Sequence, residues 1–310
     1  MIKQFNFFDI YGDLLPGMLL VGLLWIPCGV LTNTWPDQDL SKALFLGVLA
    51  YIVGHLIQTV ALSVVPSKVT DKTKHLRSPS DLLLDGSDKK FAKELKEKLA
   101  AQVKKLFGID LEITKDGDGE NDISKKRQDA FFQARTYLIT KNAARYAEQF
   151  EGLYAMMRGL GCSFFAGGSY LAGWALSFHR DCFRLSDWMP VVLWIAIAAS
   201  LICALIAYFN EPARKKVDRF LTWSIVVALF GAGFLAGLWR YQAAGISIPA
   251  YAEYILWGSW LLAWIAAARC FSAYKGFAQI FAETVWRDFS AYLSFQGTPA
   301  RPVEDSSDGS

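Results

Sequence analysis

Uncharged apolar runs alternate with charged ones along this chain, and six of the runs read as membrane-crossing helices: Leu14 to Leu31, Ala43 to Val65, Gly159 to Phe178, Met189 to Phe209, Phe220 to Trp239 and Tyr254 to Ala268. A helix needs about 20 apolar residues to cross a hydrocarbon core. The last run is short and reaches that length only by adding Tyr251 and Ala252. None of the runs alternates with a period of two, so a barrel is excluded and each span must satisfy its backbone as a helix. The predicted fold class is all-α: a polytopic helical membrane bundle of six transmembrane helices with a helical cytoplasmic insertion. Residues 1–65 form a transmembrane hairpin, 66–158 the insertion, 159–268 a four-helix transmembrane region, 269–295 an amphipathic helix and 296–310 a tail with too little apolar surface to fold.

Composition agrees with the pattern. Of 310 residues 53% are hydrophobic and only 20% charged, with 22 Phe and 11 Trp, which rules out a secreted enzyme, a nucleic-acid-binding domain and a disordered chain. The net charge of +3 says less than its placement. Residues 66–158 hold 19 Lys or Arg against 15 Asp or Glu, and the connector from Glu211 to Arg219 carries Arg214, Lys215, Lys216 and Arg219. The other connectors hold Lys42, then Arg180 and Arg184, then Arg240. Basic loops stay inside, so both termini and the insertion are expected in the cytoplasm of a bacterial inner membrane. Trp35, Trp188 and Trp239 then fall at the outer interface, which indole rings prefer. The first run is not a signal peptide, because Lys3 is the only basic residue before it and no small-x-small site follows. Asp13 is read as the N-cap of its helix and Pro16 as a first-turn residue.

Within the insertion, Phe91, Leu95, Leu99, Val103 and Leu106 recur at helical spacing between Asp88 and Phe107, amid seven lysines from Lys89 to Lys105. Such a basic amphipathic helix either lies on anionic lipid or packs its stripe on a neighbour, and the aliphatic stripe without Trp favours packing. The segment from Asp116 to Asp122 has the oxygen spacing of a calcium loop, but Asn121 replaces the required Gly and Arg127 the bidentate Glu, so an acidic turn is expected. After Arg127 one long helix is predicted to run into the third span, with Phe132, Thr136, Ile139, Ala143, Tyr146, Phe150, Leu153 and Met157 forming a coiled-coil seam. Glu148, Glu151, Tyr154 and Arg158 share a stripe beside it, read as an internal salt bridge and a membrane-edge anchor. Phe271, Tyr274, Ala278, Phe281, Val285, Phe289 and Tyr292 share a second face, a partner for the seam.

His55 lies near the middle of the second span, with Tyr51, Gln58 and Thr59 on its face. Ionisable groups inside a bilayer mark either a functional site or an interhelical hydrogen bond. A neutral imidazole paired with Gln58 is the cheaper arrangement, and a polar pore or proton-responsive position is the alternative. Small residues recur every fourth position in the later spans, Gly159, Ser163 and Gly167 among them, the pattern by which membrane helices approach closely. No catalytic constellation, cofactor motif or metal-ligand spacing is found: there is no HExxH, P-loop, GxGxxG or GxSxG, and His55, His75 and His179 are the three histidines. The five cysteines form no CxxC pair.

The motifs Leu15-Pro16-Gly17, Tyr51-Ile-Val-Gly54-His55-Leu-Ile-Gln58 and Phe150-Glu151-Gly-Leu-Tyr154 followed by Arg158 resemble those of uncharacterised bacterial multipass inner-membrane proteins. The resemblance covers about half of the chain. Some similar proteins serve as phage-defence effectors, which implies a homo-oligomer gated from the cytoplasm and assigns no catalytic residue. The expected function is thus a non-enzymatic, oligomeric membrane-perturbing effector or ion-path protein. Its partners are lipid, further copies and a cytoplasmic protein, with no nucleic acid. Tyr51, His55, Gln58, Glu151, Tyr154 and Arg158 are its candidate residues. The competing reading is a secondary transporter with a site near His55, set lower because no internal repeat is found.

Overall fold

The structure is a computed structural model that describes residues 9–35, 39–65, 69–70, 76–77, 79–84, 90–111, 120–178, 227–237 and 250–296. The fourth predicted span (189–209), the basic connector (210–219), the acidic residues 116–119 and the tail beyond 296 lie outside them. The described chain is helical apart from a two-residue antiparallel ladder, Val69–Thr70 with Leu76–Arg77. It divides into two compact units, residues 1–67 with 151–277, and 68–150 with 278–310.

In the first unit a π-helical turn, Asp9–Leu14, leads into α1 (Leu15–Thr32). Asp13 therefore sits inside the π turn and is not the N-cap: Leu14 precedes α1 with helical dihedrals and no side-chain cap. Asn33 closes α1 in the left-handed conformation, and Trp25 Nε1 donates to Thr34 O across that turn at 2.9 Å. The next helix, α2 (Leu40–Val64), starts at a true cap, with Asp39 accepting from Ser41 N at 3.1 Å. The two helices touch backbone to backbone: a Cβ at Gly17 would fall on the Ala50 carbonyl, and one at Gly54 on that of Asp13. Only glycine permits that approach.

Among the described residues three helices are long and apolar enough to cross a membrane, within Ile10–Thr32, Leu40–Leu62 and Tyr251–Phe295. That is fewer than the six expected. The third predicted span lies in α6 (Arg145–Ser177) but is diluted by Gly, Ser, Tyr and Trp, and it is the most enclosed helix of the unit. Its small residues receive neighbours: Gly167 faces Leu23, Gly168 faces Trp264 and Gly173 meets the backbone at Phe230. The fifth is described only as α7 (Val227–Gly237). The sixth opens α8 (Ala250–Gln296), whose 47 residues extend roughly 70 Å, over twice the hydrocarbon thickness. Only Tyr254 to Ala268 of it is long, apolar and free of charge. Leu23, Leu171, Trp174, Ala175 and Leu256 form the core of this unit.

The second unit contains α3 (Pro79–Leu82), α4 (Lys93–Phe107), α5 (Glu120–Thr140) and the end of α8. Helix α4 starts five residues later than the periodicity predicted and ends at Gly108, left-handed at φ 71°. Phe91, Leu99 and Val103 are buried, and Phe107 stacks on Phe289 at 5.8 Å, so the stripe packs on protein. Glu120, Asn121 and Asp122 belong to α5, and Asp116 to Gly119 lie outside the described residues.

The long seam is corrected twice. Its helix breaks between Thr140 and Arg145, where Asn142 turns left-handed at φ 54°. Its phase is also off by one residue, since Phe132, Ile139 and Tyr146 are exposed while Phe131, Ala134 and Leu138 are buried. Phe131 meets Phe281 at 5.8 Å and Tyr137 meets Phe289 at 6.1 Å, so the later part of the predicted C-terminal face packs on this other side of α5, while Phe271 and Tyr274 at its start meet α6. Beneath them Arg127 Nη1 lies 3.3 Å from Asp81 Oδ1, and Ser124 Oγ donates to Asp81 Oδ2 at 2.6 Å.

Candidate functional site

The sequence places a proline at position 16, and with it an unpaid hydrogen bond. Pro16 has no N–H to return to the Gly12 carbonyl four residues earlier, so that oxygen needs a partner from elsewhere. Gln58 supplies it. On α2 the residues Ala50, Gly54, Gln58 and Ala61 form the buried face, and Gln58 is 5% exposed. Its Nε2 donates to Gly12 O at 2.5 Å and to Ala155 O of α6 at 2.8 Å.

The other end of the amide is also filled. Gln58 Oε1 accepts from Arg158 Nη2 at 3.0 Å and Nε at 3.3 Å. Arg158, only 6% exposed, lies over the Tyr154 ring at 5.8 Å, and the Tyr274 hydroxyl of α8 faces its guanidinium. The Tyr154 and Tyr274 rings are 5.9 Å apart. Nearby, Ser163 Oγ donates to Pro16 O at 2.8 Å. One side-chain amide thus joins the entry to α1, the second half of α2 and the start of the enclosed part of α6. Gly159 completes the fit, because a Cβ there would meet Gln58 Nε2 and the Pro16 ring.

Of the six candidate residues, the structure brings Gln58, Tyr154 and Arg158 together. His55 is not the partner of Gln58: it points outward, its side chain 70% exposed, with Nδ1 3.6 Å from Asp13 Oδ2. Helical geometry explains this, since residues three apart differ by about 60° around the axis, enough to separate a buried from an open face. Tyr51 is exposed one turn before His55. Glu151 is half-buried one turn before Tyr154 and outside the Gln58 hydrogen bonds. Arg158 is also no surface anchor on a Glu partner; its hydrogen-bonded partner is a neutral amide. Asp13 and Tyr274 were missed as site residues. By its position Asp13 reads as a cap and by its spacing Tyr274 reads as one member of an apolar face, and neither pattern signals a polar partner.

Chemically this is a clamp. Among the described residues no group of three His, Cys, Asp or Glu side chains could hold a metal ion. Each hydrogen bond between membrane helices is worth about 0.6 to 2 kcal/mol, so the clamp stores a few kcal/mol in one place. Its geometry defines a helical protein with apolar helices of membrane-crossing length, joined at a buried Arg and Gln. No protein-family model, no curated protein and no solved structure matches this chain.

Proposed function

We propose that this chain is a non-enzymatic multipass protein of a bacterial inner membrane, with six spans and both termini in the cytoplasm, that assembles from several copies and perturbs the membrane or opens an ion path under cytoplasmic control. The observation that carries the reading is the Gln58–Arg158 clamp. It gathers the entry to α1, α2 and α6 onto one amide, and its worth of a few kcal/mol is within the range that binding of a partner can shift. Helix α6, which holds Arg158, starts at Arg145 outside the apolar run, and α8, which holds Tyr274, continues to Gln296. Those extensions are where a cytoplasmic partner would bind. The resemblance of its short motifs to those of uncharacterised bacterial multipass proteins, some relatives of which serve as phage-defence effectors, agrees with this reading.

Expression in bacteria with a potential-sensitive dye and a membrane-impermeant stain tests it. Gln58→Leu, which opens the clamp, is expected to depolarise cells without any trigger, whereas wild type does so only on challenge with phage. Unchanged potential and permeability in both, with the proteins present in the membrane, would overturn the proposal. For the topology, reporters fused after Ser186 and after Lys215 must report opposite sides of the membrane.

A further inference from the structure

We propose that the joint between α5 and α6 is a conformational switch, in which residues 141–144 convert between the stop seen here and one continuous helix from Glu120 to Ser177. The inference goes beyond the membrane reading above and does not depend on it. It starts from a conflict between local sequence and fold. Asn142 N donates to Ile139 O at 3.0 Å and Ala143 N to Leu138 O at 2.9 Å, with Asn142 left-handed at φ 54°. This hydrogen-bond pattern ends helices, most often on glycine, because a left-handed residue that carries a Cβ is disfavoured. The restart is as weakly signalled. Glu148 N donates to Ala144 O, so α6 opens on an alanine whose methyl accepts no hydrogen bond, where Ser, Thr, Asp or Asn would cap. Residues 140–145 contain neither Gly nor Pro, and Lys141, Ala143, Ala144 and Arg145 are strong helix formers.

Packing holds the break. Phe131, Ala134 and Leu138 form the buried face of α5, and Ala144 and Ala147 are buried where α6 begins. On one straight helix, at about 100° per residue, these two faces stand roughly a third of a turn apart, and the break takes up that rotation. The exposed side behaves differently. Phe132, Ile139 and Tyr146 are all exposed and follow one another at intervals of seven, with Thr136 exposed between the first two. Seven residues are close to two helical turns, so a straight helix collects them on one stripe, opposite both buried faces. The broken state thus serves the two buried faces, and the straight state relieves Asn142 and joins the stripe. Local propensity favours one arrangement and burial the other, which makes the joint a two-state element.

The test is a distance measurement by double electron–electron resonance on the full chain in membranes, with its five cysteines replaced and spin labels at Gln133→Cys and Gln149→Cys, both exposed positions. A continuous helix sets those backbones about 24 Å apart at 1.5 Å per residue. Asn142→Gly favours the left-handed stop and weakens the helix, whereas Asn142→Ala does the reverse. The ratio of straight to broken forms is expected to rise about 10-fold to 100-fold from the glycine to the alanine variant, with wild type between them. Superimposable distance distributions in all three chains would overturn the proposal. Should the cysteine-free chain fail to insert, hydrogen exchange of the same two variants in the native-cysteine chain decides. In the broken state the amides of Arg145, Tyr146 and Ala147 precede the first hydrogen bond of α6, and in the straight state they bond to the carbonyls of Lys141, Asn142 and Ala143. Slower exchange there in the alanine variant than in the glycine variant is expected, and equal exchange would overturn the switch.

Discussion

Arg158 and Gln58, a hundred residues apart in the chain, meet through two hydrogen bonds on one amide oxygen, at 3.0 and 3.3 Å. The amide is the hub and the guanidinium a spoke. Gln58→Leu takes two hydrogen bonds from the buried guanidinium, leaving it the Tyr274 hydroxyl, and takes a donor from two carbonyls, an expected loss of about 2 to 4 kcal/mol. Arg158→Leu strands only one amide oxygen and is expected to cost about 1.5 to 3 kcal/mol. Thermal unfolding of the detergent-solubilised protein should rank the two in that order. The double variant should cost less than the sum, since the residues share one interaction.

The glycines of the α1–α2 hairpin divide sharply. Gly17→Ala and Gly54→Ala drive a methyl into backbone atoms and should destabilise by about 1 to 3 kcal/mol. Gly22→Ala and Gly47→Ala meet nothing within 4 Å and should change stability by less than about 0.5 kcal/mol. Melting temperatures of the four variants, measured in one detergent, check the contrast.

Asp81 and Arg127 form a buried ion pair, with side chains 1% and 5% exposed. Asp81→Ala leaves the guanidinium uncompensated and should cost about 3 to 5 kcal/mol, enough to unfold residues 68–150 locally. Protease sensitivity confined to that stretch is the expected readout. Resistance equal to wild type would contradict it.

Asp288 supplies a pH dependence. Burial pushes its carboxyl above the usual 3.8, and its Oδ2 has no hydrogen-bond partner among the described residues. The fold therefore holds a proton that the unfolded chain has released, so stability falls as pH rises through the raised value and the penalty persists above it. Asp288→Asn should melt higher than wild type at about pH 8 and equal it at about pH 3, where both states are protonated. A constant difference across that range would refute the assignment.

Much of the helical content was legible because apolar length and periodicity are direct consequences of burial in lipid or protein. The apolar runs at 14–31, 43–65 and 254–268 fall in helices to within a residue, and Phe91, Leu99 and Val103 of the α4 stripe are buried as its spacing required, while Leu106 at its end is exposed. The phase of α5 was not legible: Phe131 and Phe132 are adjacent aromatics, and either choice gives an acceptable repeat. Phe131→Ala is expected to cost about 3 to 5 kcal/mol and Phe132→Ala less than about 0.5, which a pair of melts decides. At the clamp, the residue types Gln58, Tyr154 and Arg158 stood out because polar groups beside apolar runs are costly. Their pairing did not, because it depends on a carbonyl orphaned by Pro16, a contact across 46 residues that no local spacing encodes.

The separation of Gln58 and Arg158 also sets a timetable for biosynthesis. The hairpin contact at Gly17 and Gly54 is complete once the first 65 residues have emerged, and Gln58 can already serve the Gly12 carbonyl. Its oxygen must wait for Arg158. At a ribosomal pace of about 5 to 20 residues per second, those hundred residues take about 5 to 20 s. For that interval the Gln58 oxygen is without its Arg158 donors, and the amide is half-satisfied. Codon choice between positions 66 and 157 thus sets how long the newborn hairpin waits for its last hydrogen bonds.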